Sequence, residues 1–194
     1  MLRRLIAILI AVAGWLLLAD PVPAQDTNAC PLPPQTRLEG FDTNTGTVII
    51  RATAPIGTVA ANAGGLSVKC RQITDTGTGR QESGIVIEIT HGNQWEDTLL
   101  IDYDELDPLL NAIDYLTKVD WSVTSFPSFD AVITTKGGFR VAAFGSRRTG
   151  AIAFAARTTR ASRPPLLLSR DQAGQLSSLI EQAKTKLDSA RKEK

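Results

Sequence analysis

The amino-acid sequence predicts an α+β fold: antiparallel sheets in two strand-rich halves, each closed by one amphipathic helix. Three observations carry that expectation. Ile85, Ile87 and Ile89 alternate with Val86, Glu88 and Thr90, then Trp95, Asp97, Leu99 and Ile101 alternate with Glu96, Thr98 and Leu100. That period of two buries one face of a sheet. Beyond Asp102 the spacing changes, and Leu106, Leu109, Leu110, Ile113 and Leu116 form one stripe of a helix. A weaker copy of this plan then closes the chain. Setting Ile101 against Leu168 brings Asp104 to Asp171, Leu109 to Leu176 and Ile113 to Ile180.

Residues 1–24 read as a cleaved signal peptide. Arg3 and Arg4 precede an apolar run from Leu5 to Ala19, and Val22-Pro23-Ala24 offers small residues before a cut ahead of Gln25. The run is shorter than the roughly 18–20 residues of a membrane-spanning helix, so no span is expected after cleavage, and the expected location is secreted or periplasmic. Residues 25–46 form a linker stiffened by Pro31, Pro33 and Pro34. One α+β domain follows over 47–190, in two pseudo-repeated halves, 47–118 and 121–190.

In the first half, Thr47–Arg51 is a strand, Pro55 and Gly57 interrupt, Thr58–Ala60 is a short partner, and Leu66–Ile73 is a longer strand. Thr74–Gly84 is rich in Gly, Thr and Ser and reads as a loop. Gly92-Asn93 suits a two-residue hairpin turn, because Gly and Asn tolerate positive φ. Asp102, Asp104, Glu105 and Asp107 collect at the start of the first helix, where carboxylates meet unpaired amides, and Pro108 belongs in its first turn.

In the second half, Asp120–Thr124 offers a strand start. Phe129–Thr135 and Phe139–Ala143 flank a Lys136-Gly137-Gly138 turn. Gly145–Gly150 turns again before a strand at Ala151–Arg157, an arginine-bearing loop and a short strand at Leu166–Leu168. Ser169 caps a final helix whose stripe is Ala173, Leu176, Ile180, Ala183 and Leu187. Each half alone would leave a helix stripe and a sheet face in water, so both must share one core.

This order of elements resembles two known architectures. Four strands followed by a helix, repeated, is similar to the topology of the PUR and whirly class of nucleic-acid-binding proteins. A partly open barrel closed by a C-terminal helix resembles the pleckstrin-homology arrangement. Both resemblances concern element order, and fold does not transfer function. An exported chain meets little nucleic acid, which counts against that partner.

The cysteines, Cys30 and Cys70, form an even pair in an oxidising compartment, so one disulfide between them is expected. Zinc is excluded, because one histidine and two distant cysteines cannot supply four ligands at a usual spacing. No cofactor motif is present. The mature chain is neutral, but from Arg147 onward it carries a net charge of +7, and residues 25–146 carry −7. The asymmetry fits an anionic partner for the C-terminal third.

Candidate sites are few. His91 would carry any histidine chemistry, yet it abuts a turn glycine and has no nucleophile elbow beside it, so it reads as an exposed turn residue. The acids from Asp102 to Asp107 lack the later ligands of a calcium loop and read as helix caps. An enzyme would need a carboxylate pair such as Glu88 with Asp102. Trp95, Trp121, Phe126 and Phe129 read as core aromatics. The candidate anion site is a basic strip: Arg147 and Arg148 in the Gly145–Gly150 turn, which can present backbone amides and two guanidinium groups to a phosphate or carboxylate, extended by Arg157, Arg160 and Arg163 where their loop folds to the same side. The expected function is a non-enzymatic exported domain with a binding or structural role in the cell envelope or outside the cell, its partner an envelope protein or an anionic polymer. The alternative is an anion- or polyanion-binding module that uses that strip.

Overall fold

The computed structural model describes residues 35–41, 45–61, 63–92 and 95–192, except for the Trp95 side chain. The expected signal peptide, Cys30 and the start of the linker lie outside these residues. Two four-stranded antiparallel sheets form as simple meanders, each with its strands in sequence order. The first holds β1 (Ile49–Ala61), β2 (Gly64–Asp75), β3 (Gln81–His91) and β4 (Trp95–Asp102). The second holds β5 (Ser128–Thr134), β6 (Phe139–Ser146), β7 (Ala151–Thr158) and β8 (Leu166–Leu168). Helix α2 (Leu106–Lys118) follows the first sheet, and α3 (Arg170–Lys192) follows the second. The α+β expectation of two sheet-plus-helix halves holds, in the repeated four-strand-then-helix order.

The helix stripes are buried where the periodicity put them. Leu106, Leu109, Ile113 and Leu116 of α2, and Ala173, Leu176, Ile180, Ala183 and Leu187 of α3, join one core with both sheets. The helices are exchanged between halves. α3 crosses the inner face of β1, β2 and β3, whereas α2 lies on β5 and β6, and the two helices pack on each other. Each sheet is thereby covered by the helix that follows the other. α3 comes close to β1 at Gly57, where a Cβ would stand 2.7 Å from Leu179 Cδ2, the movable end of that side chain.

Several elements differ from expectation for physical reasons. β1 runs unbroken through Pro55 and Gly57, because it is an edge strand and its register shifts there in a bulge that absorbs the missing N–H. Trp121–Val123 is a single 3-10 turn rather than a strand, with Asp120 accepting Ser122 N–H at 2.8 Å. His91 ends β3 opposite Trp95 and is half-buried rather than exposed.

The linker contains a structured strap, α1 (Arg37–Gly40). Thr36 Oγ1 accepts Glu39 N–H at 3.0 Å, and Glu39 accepts Thr36 N–H at 3.3 Å, a capping box. The buried Asp102 carboxylate accepts Arg37 N–H at 2.8 Å and Leu38 N–H at 3.1 Å. Leu38, Phe41 and Ile73 form a second small core, with Ile49 and Leu100 against it, apart from the main one. The strap therefore seals one end of the outward face of the first sheet.

Candidate functional site

Among the described residues the second sheet has no such cover. Its outward face follows from the register. Asp130 stands beside Phe144, which stands beside Ala153; Val132 beside Ala142, then Ala155, then Leu167; Thr134 beside Arg140, then Arg157. Val132 and Phe144 are each 39% exposed and Leu167 59%. Small alanines between larger side chains leave a depression of about 330 Å³, lined by Asp130, Arg140, Ala142, Phe144, Ala155, Arg157 and Pro165. That is the lower end of the ~300–1,000 Å³ range of small-molecule sites.

The electrostatics of this depression are unbalanced. Arg140 and Arg157 are direct cross-strand neighbours, and like charges in that position repel. Arg140 Nη2 lies 3.9 Å from Asp130 Oδ2. The Arg157 side chain has no ion pair or hydrogen bond among the described residues, although its backbone is held in the β6–β7 ladder. The face thus offers an apolar floor with one uncompensated guanidinium at its rim.

The five arginines of the expected strip are not gathered into one surface. Arg147 and Arg148 precede β7, and Arg160 and Arg163 follow it, so the eight-residue strand holds the pairs roughly 25 Å apart. Arg147 is structural. It donates to the carbonyls of Phe126 at 3.1 Å, Trp121 at 3.0 Å and Thr124 at 2.7 Å, and its guanidinium sits 5.2 Å from the centre of the Trp121 ring. Arg160 grips Glu39 of the strap, at 3.0 Å for its Nη2. Arg163 Nε lies 3.1 Å from the Asp97 carboxylate. Arg148 is exposed in its turn. Only Arg157 reaches the depression, where it meets Arg140, which the sequence reading had not singled out.

The remaining candidates are occupied elsewhere. Glu88 pairs with Lys69, and Asp102 is buried under the strap. Their strand positions differ by four residues in the β3–β4 register, roughly 13 Å, so they make no catalytic pair. Asp104 binds Arg37 and Lys136, and Glu105 accepts Lys136 N–H at 2.8 Å. Asp107 pairs with Lys184. No group of three potential metal ligands occurs among the described residues.

Trp121 and Phe129 pack edge to face, 5.2 Å apart, against Gly145, while Phe126 is exposed. Cys70 carries a free thiol, buried with its Sγ 3.4 Å from Ala183 O, and no disulfide is formed among the described residues. Burial raises its pKa, against the opposing pull of Lys186.

A larger hollow of about 770 Å³ runs along α3 by Thr58, Gln175 and Gln182, but its cation is committed. Arg170 donates to Thr117 O at 2.6 Å and lies over the Phe154 ring. No described helix is long and apolar enough to cross a membrane.

No protein-family model, curated protein or solved structure matches this chain.

Proposed function

We propose that this protein is an exported, non-enzymatic binding domain whose ligand seat is the outward face of the second sheet. The ligand class is a small amphipathic anion: an apolar body over Val132, Ala142, Phe144 and Ala155, with a carboxylate, sulfonate or phosphate against Arg157 and Arg140. One observation carries the reading. An exposed apolar sheet face has at its rim an arginine with no acidic partner among the described residues, while the corresponding face of the first sheet is sealed at one end by the chain's own strap. Export rests on the apolar run and cut site at residues 1–24.

The size of the face supports a small ligand. Four strands at ~4.8 Å spacing and three rows of outward side chains present on the order of 300–400 Å². A folded protein partner covers roughly 800 Å² on each side of a standard interface.

The test uses 1-anilinonaphthalene-8-sulfonate as the probe, read by fluorescence titration of the mature chain. Saturable binding that weakens in Arg157→Gln and in Leu167→Asp supports the seat. Inorganic phosphate, which lacks the apolar body, should compete poorly. Equal binding by wild type and both variants would refute the assignment. Export is tested separately, by fractionating cells that express the full chain.

A further inference from the structure

Of the four sheet edges, three carry devices that discourage pairing with another chain. β1 has Pro55 and a bulge. β4 is pressed by the β5–β6 turn, where a Cβ on Gly137 would stand 1.9 Å from Leu100 O. β8 has only three residues and follows Pro164-Pro165. Among the described residues, β5 has none of these. Its ladder with β6 is continuous from Ser128 to Thr134, with no proline and no bulge. Its one charge, Asp130, is matched by Arg140.

The free edge can be assigned atom by atom. Thr135 N–H donates to Phe139 O at 2.9 Å, and Arg147 N–H donates to Pro127 O at 2.8 Å. Odd-numbered residues from 127 to 135 therefore turn their peptide groups toward β6, and Ser128, Asp130, Val132 and Thr134 turn theirs outward. Inward-facing Phe129, Ala131 and Ile133 pack on the core yet stay partly exposed. This set is symmetric about Ala131.

We infer that β5 is a self-association edge, pairing antiparallel with β5 of a second copy about a twofold axis through Ala131. In that register Asp130 meets Val132 of the second copy and Ser128 meets its Thr134, so every outward peptide group on both strands is bonded. Phe129 meets Ile133 of the second copy, and the two Ala131 residues face each other on the inner side.

Strand pairing alone falls short of the ~1,200 Å² that a specific dimer buries. The axis is perpendicular to the sheet, so it also brings together the two α2 helices, which lie under β5. Tyr115 of α2 is 60% exposed, and Phe126 and Val123, in the turn leading into β5, are 71% and 45% exposed. In the proposed dimer these side chains would supply the remaining apolar area. The two ligand faces would lie side by side on one continuous eight-stranded sheet.

The experiment is sedimentation of the mature chain over a range of concentrations, with two variants. Val132→Pro removes an outward N–H and leaves the β5–β6 ladder intact. Ala131→Cys, in a Cys30→Ser/Cys70→Ala background, places two thiols at a non-hydrogen-bonded pair ~4.5 Å apart at Cα, within disulfide reach. The expected results are a wild-type dimer, a Val132→Pro monomer with unchanged circular dichroism, and a covalent Ala131→Cys dimer on mild oxidation. A monomeric wild type at every concentration overturns the inference. So does a Val132→Pro dimer together with an Ala131→Cys chain that fails to cross-link.

Discussion

Arg157→Gln separates two effects of the arginine pair on the second sheet. Arg157 stands directly opposite Arg140 in the β6–β7 ladder, and the pair has one carboxylate, Asp130, 3.9 Å from Arg140. A like-charged pair in that position costs about 0.2–1 kcal/mol, and the partial exposure of both side chains places this one toward the lower end. Removing one charge should therefore stabilise the fold. At roughly 2–4 °C per kcal/mol for a domain of this size, the melting temperature should rise by about 1 °C. The gain should shrink in high salt, where the screening length falls from ~10 Å at 0.1 M to ~3 Å at 1 M.

Binding of the naphthalenesulfonate probe should move the opposite way. A tenfold loss, about 1.4 kcal/mol, is expected if the guanidinium meets the sulfonate. The assay is a pair of thermal melts at low and high salt beside one fluorescence titration. A variant that melts lower and binds the probe as well as wild type would show that Arg157 serves packing and neither repels Arg140 nor holds the ligand.

Other perturbations test the supports of the fold. Asp102→Ala removes the acceptor of two strap amides and should cost about 2–3 kcal/mol in a denaturant titration, with Arg37 and Leu38 amides losing exchange protection. Gly137→Ala forces a Cβ against Leu100 O and should destabilise by about 1–3 kcal/mol, because the obstacle is backbone and cannot rotate away. Asp75 accepts the Thr47 hydroxyl at 2.7 Å, and this bond, aided by the Gly77 and Thr78 amides, holds its pKa below the ordinary carboxylate value. A depressed carboxylate contributes stability above the ordinary value near 3.9, and that contribution is lost as pH falls through the lowered value. Thr47→Val should therefore raise the Asp75 pKa in an NMR titration and flatten the acid limb of the stability curve.

What the sequence shows depends on how local each cause is. β3, β4, α2 and α3 are legible because their periodicities record one buried face each. β1 is misread at Pro55, since sequence alone does not say that a strand lies at an edge and carries a bulge. The strap escapes notice because it is one turn long and its anchor, Asp102, lies 65 residues from Arg37. The helix stripes announce burial but not against which sheet, so the exchange of α2 and α3 is invisible before the fold.

The site follows the same logic. Arg147 resembles an anion ligand in its glycine-bounded turn, yet it meets three carbonyls of a turn more than twenty residues earlier. Arg140 is unremarkable until strand register sets it beside Arg157. Cys70 is apolar strand filler by environment, with its thiol toward α3.

The exchange of helices between the halves is the claim on which the architecture rests, and fragment complementation measures it directly. Residues 35–118 and 119–192, made separately, should each lack cooperative melting, because each sheet lacks the helix that covers it. Mixed, they should regain native circular dichroism and a single cooperative transition. A fragment 35–118 that folds alone, with α2 docked on its own sheet, would contradict the account.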